Sequence, residues 1–298
     1  MIAVPVIRHP LRHFAGRSGE RVIDFDRRIA VMAIVNRTPD SFYDRGATFA
    51  LDRAVQAAVD AAEAGADWVD IGGAKFAPGP EIAAADELDR VLPVVAALAE
   101  RSDVVISVDT FRASVAAACL AAGAHVVNDT TGLSDPEMAP VVAEHGGSLV
   151  ITHSLAAPRT PHPHPRYDDV VDEVRAFLLD RVERAVGAGV GEDHLYIDPG
   201  HDLNKNTRHS LEITRRFDEI ASIGLPALAA VSNKDFVGES LDAEKADRLE
   251  GSLVAATACA MLGARLVRMH DVRASVAAMR MLETILGFRE PAVLRHNV

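Results

Sequence analysis

Eight short apolar runs, at residues 29–35, 68–71, 104–108, 125–127, 148–152, 195–197, 226–231 and 265–269, recur along the chain, and longer stretches with helical spacing, many of them Ala-rich, lie between and after them. Apolar runs without alternation read as strands buried on both faces, which requires a parallel sheet covered by helices. Eight such units are the number that closes a (β/α)8 TIM barrel, so the expected fold is α/β of that kind. A doubly wound open sheet is the alternative. It is disfavoured because no glycine-rich dinucleotide fingerprint follows the first run and because polar residues stand at nearly every strand end. A length of 298 residues suits one barrel domain over residues 29–290, with residues 1–28 as an N-terminal extension capping the barrel bottom.

The charge balance narrows the partners. With 31 Lys plus Arg against 43 Asp plus Glu, the net charge is −12, which argues against nucleic acid and anionic membranes, since both need a clustered basic footprint. Residues 1–14 include Pro5 and several charges, so no signal-peptide core or membrane span is expected there, and the expected location is cytoplasmic. Cys119 and Cys259 each lie inside an Ala-rich helical run and read as buried small hydrophobes rather than as a disulfide or zinc pair. The Pro/His-rich segment 157–169 reads as a long loop after the fifth strand, with His162 and His164 solvated.

In a barrel, residues at the C-terminal strand ends build the site. Here they are Asn36, Asp70, Asp109, Asn128, His153, Asp198, Lys234, Arg268 and His270. Asp109, Asn128 and Asp198 offer acceptors from three strands to a flat heterocycle rich in N–H donors, such as a pterin or guanine edge. The competing reading is that each acid caps the following helix, a task Asp129 and Thr110 could share. Lys234, Arg268 and His270 occupy the quarter where phosphate sites form, and alternation places Arg268 and His270 on one face. The first loop, with Thr38 and Pro39, has the length of a lid, and the second, GGAKFAPGP, brings Lys75 and Phe76. A Schiff-base aldolase on Lys234 would need a desolvated lysine, which Asn233 and Asp235 do not predict.

The motifs NRTPDSF, DIGG with a following PG, SVDTF, VVND, IDPG with a following KN, SNK, LEGSLVAA and RMHDV, in this order, resemble the dihydropteroate synthase family over residues 29–286. The resemblance implies a barrel enzyme of folate synthesis. It would join 6-hydroxymethyl-7,8-dihydropterin diphosphate to p-aminobenzoate and release pyrophosphate with Mg²⁺. It also implies that Asp109, Asn128, Asp198 and Lys234 bind the pterin, that Asn36 helps hold metal and diphosphate, and that Arg268 and His270 hold the diphosphate. Ser232, Thr38, Pro39 and Phe76 would surround the aminobenzoate, Lys234, Arg268, His270 and Lys75 would be the catalytic set, and the chain would be a homodimer through its last helices.

The departures fall in the loops. The family's E-S-T-R-P-G becomes Ala74-Lys75-Phe76-Ala77-Pro78-Gly79, its S-R-K becomes Ser232-Asn233-Lys234, and its Phe-Gly-Phe-Gly becomes His201-Asp202-Leu203-Asn204, while Arg37, Tyr43 and Arg45 alter the first loop. Lys75 and Arg45 are candidates to restore the lost positive charge. An intact pterin floor with rebuilt walls resembles the divergent second copy that some bacteria carry. Three readings follow: a working synthase, a pterin-diphosphate transferase with another acceptor, and a non-catalytic pterin-binding protein.

Overall fold

A computed structural model describes residues 8–36, 47–74, 76, 78–162 and 164–296. Eight parallel strands close into a barrel: β3 (Ala30–Asn36), β4 (Trp68–Gly72), β5 (Val105–Asp109), β6 (Val126–Asp129), β7 (Ser148–Thr152), β8 (Leu195–Asp198), β9 (Ala227–Ala229) and β10 (Ala264–Met269), with β10 pairing back onto β3. The helices α1 (Ala47–Glu63), α2 (Ala84–Ala99), α3 (Ala113–Ala121), α4 (Met138–Glu144), α5 (Val170–Gly187), α6 (Thr207–Arg215), α7 (Phe217–Ala221), α8 (Asp235–Leu241), α9 (Leu249–Met261) and α10 (Val272–Ile285) follow the strands in turn. The expected barrel is the observed fold. An antiparallel hairpin, β1 (Arg12–Gly16) and β2 (Gly19–Ile23), precedes it, a detail that the sequence reading of a cap did not contain.

Two apolar layers hold the barrel. Outward strand residues such as Val31, Val69, Ile106 and Val127 pack against the helices, where Cys119 and Cys259 are also buried and unpaired. Inward residues Met32, Trp68, Val105, Val126, Val150, Tyr196, Leu228 and Leu266 fill the barrel, and Phe14, Ile23 and Phe25 join them from below. Trp68 meets Phe14 edge-on at 5.6 Å and Tyr196 at 5.0 Å, the offset geometry that aromatic quadrupoles favour.

One pleat further along the strands, the inner face turns polar. Period-2 alternation carries Trp68 to Asp70, Val105 to Ser107, Val126 to Asn128, Tyr196 to Asp198 and Leu266 to Arg268. The barrel is therefore a dry plug below and a polar cup above. Segment 157–169 forms neither helix nor strand among its described residues, and it leans on the second loop, where Arg159 N–H donates to the Phe76 carbonyl at 3.0 Å. No helix among the described residues is long and apolar enough to cross a membrane.

Candidate active site

Asp70 organises the cup. It is fully buried, and its carboxylate accepts from Ser107 Oγ (2.6 Å), Asn128 Nδ2 (3.0 Å) and Arg268 Nε (2.7 Å). Strand register brings these together, because Asp70 lies opposite Ser107, and Asp109 opposite Asn128. The bond to Asp70 also fixes the Asn128 amide, since only its NH2 can donate to a carboxylate. Asn128 Oδ1 is thereby left buried and without a partner among the described residues. Asp129 takes the turn-capping work, accepting from Thr131 N and Leu133 N at 2.8 Å, so Asn128 is spared it.

Asn128, Asp109 and Asp198 line one cavity of about 470 Å³, together with Asn36, Phe76, Ser232, Lys234, Arg268 and His270. Burial pushes the Asp198 carboxyl up, opposed by the Gly200 N–H at 2.7 Å and by Lys234. Burial likewise raises Asp109, against the pull of Arg268. Lys234 is pushed down by burial, with Asp202 and Asp198 opposing. The barrel wall thus supplies the desolvation that the sequence neighbours of Lys234 did not predict.

Arg268 and His270 both line the cavity but serve different levels. Arg268 reaches across the barrel to Asp70 and, through Nη2, to Asp109 at 3.0 Å, so two of its donors are already committed. His270 sits at the rim with Nδ1 3.0 Å from Ser232 Oγ, which also accepts the His270 backbone N–H. Partial burial, then the charges of Arg268, Lys245 and Lys234, lower its pKa to about 4, so it is neutral at pH 7. Asn36 stands at the end of β3, its Oδ1 so close to Gly72 that a Cβ there would lie 2.9 Å away. Lys75, Thr38, Pro39, Arg37, Tyr43 and Arg45 lie outside the described residues.

A second groove of about 660 Å³ adjoins the cavity and shares Phe76, Leu203, Asn233, Lys234 and Lys245 with it. Its floor is the loop after β8. Gly200 there has φ 69°, and a Cβ would meet the His153 carbonyl at 2.2 Å. The loop is strapped by Lys205, whose buried Nζ meets His153 Nδ1 (2.8 Å) and the carbonyls of Gly200 and Leu203 (3.0 Å each). Burial lowers this lysine to about 7. Asp70, named from sequence only as one of the strand-end residues, and Lys205, quoted only within the KN that follows IDPG, carry structural duties that the sequence did not assign to them.

Residues 32–270 match the family of pterin binding enzymes. The chain belongs to this family. A protein of Mycobacterium leprae (strain TN) named inactive dihydropteroate synthase 2 is 44% identical over 277 residues, covering 91% of this chain and 95% of that relative. The dihydropteroate synthase of Escherichia coli (strain K12) is 39% identical over 261 residues, covering 87% and 93%. The structure of Xanthomonas albilineans dihydropteroate synthase with 4-aminobenzoic acid is similar at a TM-score of 0.85 and 36% identity, covering 96% of this chain and all of that one. In the loop after β8, Asp202 (φ 62°) and Asn204 (φ 52°) hold the left-handed backbone region. Asp and Asn are the non-glycine side chains that best tolerate the left-handed region, so this backbone shape is built without glycine at these two positions. Asn233 adopts the same region, at φ 57°.

Proposed function

We propose that the barrel mouth binds 6-hydroxymethyl-7,8-dihydropterin diphosphate and that the protein is a transferase of the dihydropteroate synthase type, condensing it with p-aminobenzoate in folate synthesis. The observation that carries this reading is the orphaned Asn128 Oδ1, set in one cavity with the carboxylates of Asp109 and Asp198. A buried acceptor without a donor is costly. The amino and ring N–H groups of a pterin supply the donors, while the Lys234 ammonium, a donor only, meets the acceptor edge.

In the reaction the C–O bond to the diphosphate breaks, with its electron pair leaving on the phosphate. Positive charge then develops on a carbon conjugated to the ring. Asp109 and Asp198 stabilise that charge from within a low-dielectric wall, and Lys234, Arg268 and the neutral His270 favour the departing anion. The amine nitrogen of the acceptor forms the new C–N bond and gives up its proton. The acceptor approaches through the adjoining groove.

Mg²⁺ fits as an ion that travels with the diphosphate. The hard oxygen of Asn36 stands at the mouth, and no group of three or more His, Cys, Asp or Glu among the described residues would hold a metal alone. Mg²⁺ is commonly held by a few protein oxygens plus substrate phosphates. Bound there by Asn36 and phosphate oxygens, it would neutralise charge on the leaving group.

A second reading, binding without condensation on p-aminobenzoate, is favoured by the ion pairs that hold Arg268 on Asp70 and Asp109 and by the apolar Ala74 and Phe76 in the second loop. The relative named inactive points the same way. The exposed Val254 on α9 and Met281 and Ile285 on α10 suit a second copy of the chain, so we propose a homodimer; a cytoplasmic location is proposed with the folate-synthesis reading. Pyrophosphate release from the pterin diphosphate and p-aminobenzoate decides between the readings. Release that Lys234→Ala abolishes supports the synthase, and tight binding without release supports the second reading.

A further inference from the structure

Most cations around the cavity and groove are already engaged. Arg268 is held by Asp70 and Asp109, Lys205 by three carbonyls and His153, and Arg248 by the carbonyls of Asn233, Lys234 and Ala243 and by Asp235. Lys245 is not. It opens the short 3-10 turn Lys245–Asp247 between α8 and α9, is exposed, and makes no hydrogen bond or ion pair with any described residue. It nevertheless lines both the cavity and the groove. Lys234, whose ammonium also makes no such bond with any described residue, lies deeper, where Asp202 and Asp198 act on it.

We propose that Lys245 and His270 form an anion subsite at the junction of cavity and groove, which takes the outer phosphate of the diphosphate whose pterin lies in the mouth. This rests on the pterin-diphosphate reading above. His270 has Ser232 Oγ on Nδ1, so Nε2 is the ring atom left for a ligand. A neutral imidazole contributes a hydrogen bond and no net charge, so an anion at the rim needs a cation beside it. Lys245 is that cation: its charge is felt at His270 along with those of Arg268 and Lys234. It enters from the α8–α9 side and answers the absence of the second-loop arginine with a residue remote from that loop in sequence.

The test is calorimetric titration of inorganic pyrophosphate, and of the pterin diphosphate, into wild type, Lys245→Gln and Lys245→Arg. An exposed charge-assisted contact predicts affinities about 5–10-fold weaker in Lys245→Gln with a shallower salt dependence, and near wild type in Lys245→Arg. Binding of 6-hydroxymethyl-7,8-dihydropterin, which has no diphosphate, stays unchanged in Lys245→Gln. Pyrophosphate affinity equal in Lys245→Gln and wild type overturns the subsite. A loss confined to p-aminobenzoate binding overturns it too and gives the charge to the acceptor. Wild type that binds neither diphosphate ligand removes the underlying reading itself.

Discussion

At the scale of single residues, the cup works by keeping acceptors where they are energetically unwelcome. Asp198 has its carboxyl raised by burial, so the folded state disfavours its charge. For an acid raised in this way the penalty is complete above the folded pKa and fades as pH falls below it. Asp198→Asn is therefore expected to raise the melting temperature at pH 7.5 and to narrow that gain at pH 4, while weakening pterin binding. A melting temperature that falls at pH 7.5 would show the carboxylate to be a net structural asset. The candidate acceptors were legible in the sequence because Asp109, Asn128 and Asp198 each end an apolar run. The commitment of Arg268 was not, because its partners Asp70 and Asp109 lie 198 and 159 residues away and only barrel closure brings them together.

At the scale of elements, the loop after β8 shows how a non-glycine residue can hold a left-handed turn. Asn204 holds φ 52° and accepts the N–H groups of Leu155 and Ala156 at 2.9 Å each, fastening this loop to the one after β7. Asn204→Gly keeps the conformation and loses the bonds; Asn204→Ala loses the bonds and adds left-handed strain of roughly 1–2 kcal/mol. Chemical denaturation is expected to rank them wild type, Gly, then Ala. An alanine variant as stable as the glycine one would refute the strain. The strand and helix pattern was readable from apolar periodicity, with boundaries within a few residues. The positive φ at Asp202, Asn204 and Asn233 was not, since Asp and Asn also serve ordinary turns.

At the scale of the molecule, the barrel is a plugged cylinder whose one tryptophan reports on its base. Trp68 is fully buried against Phe14 and Tyr196. Buried histidines set the acid limit: burial holds His201 at about 3 and His153 at about 2. A base with a depressed folded pKa contributes stability that is intact above its unfolded pKa of about 6.5 and is lost as pH falls toward the folded one. His201 alone then removes about 2 kcal/mol between pH 6.5 and 5. His201 stacks on Phe217 and Phe236, an aromatic setting that suits a phenyl ring, so His201→Phe is expected to fold and to lose less stability over that interval, read from Trp68 fluorescence in denaturant. An unchanged pH slope would remove His201 from the account.

The central claim is that the polar cup of this barrel is a pterin site read by Asp109, Asn128 and Asp198. Its most direct test is calorimetric titration of 6-hydroxymethyl-7,8-dihydropterin diphosphate into wild type and Asp198→Asn. The account predicts one site per chain in wild type and an affinity about 10–150-fold weaker in the variant, the range for a lost hydrogen bond to a buried charged group. Equal affinity in the two proteins, or no binding by wild type, would contradict it.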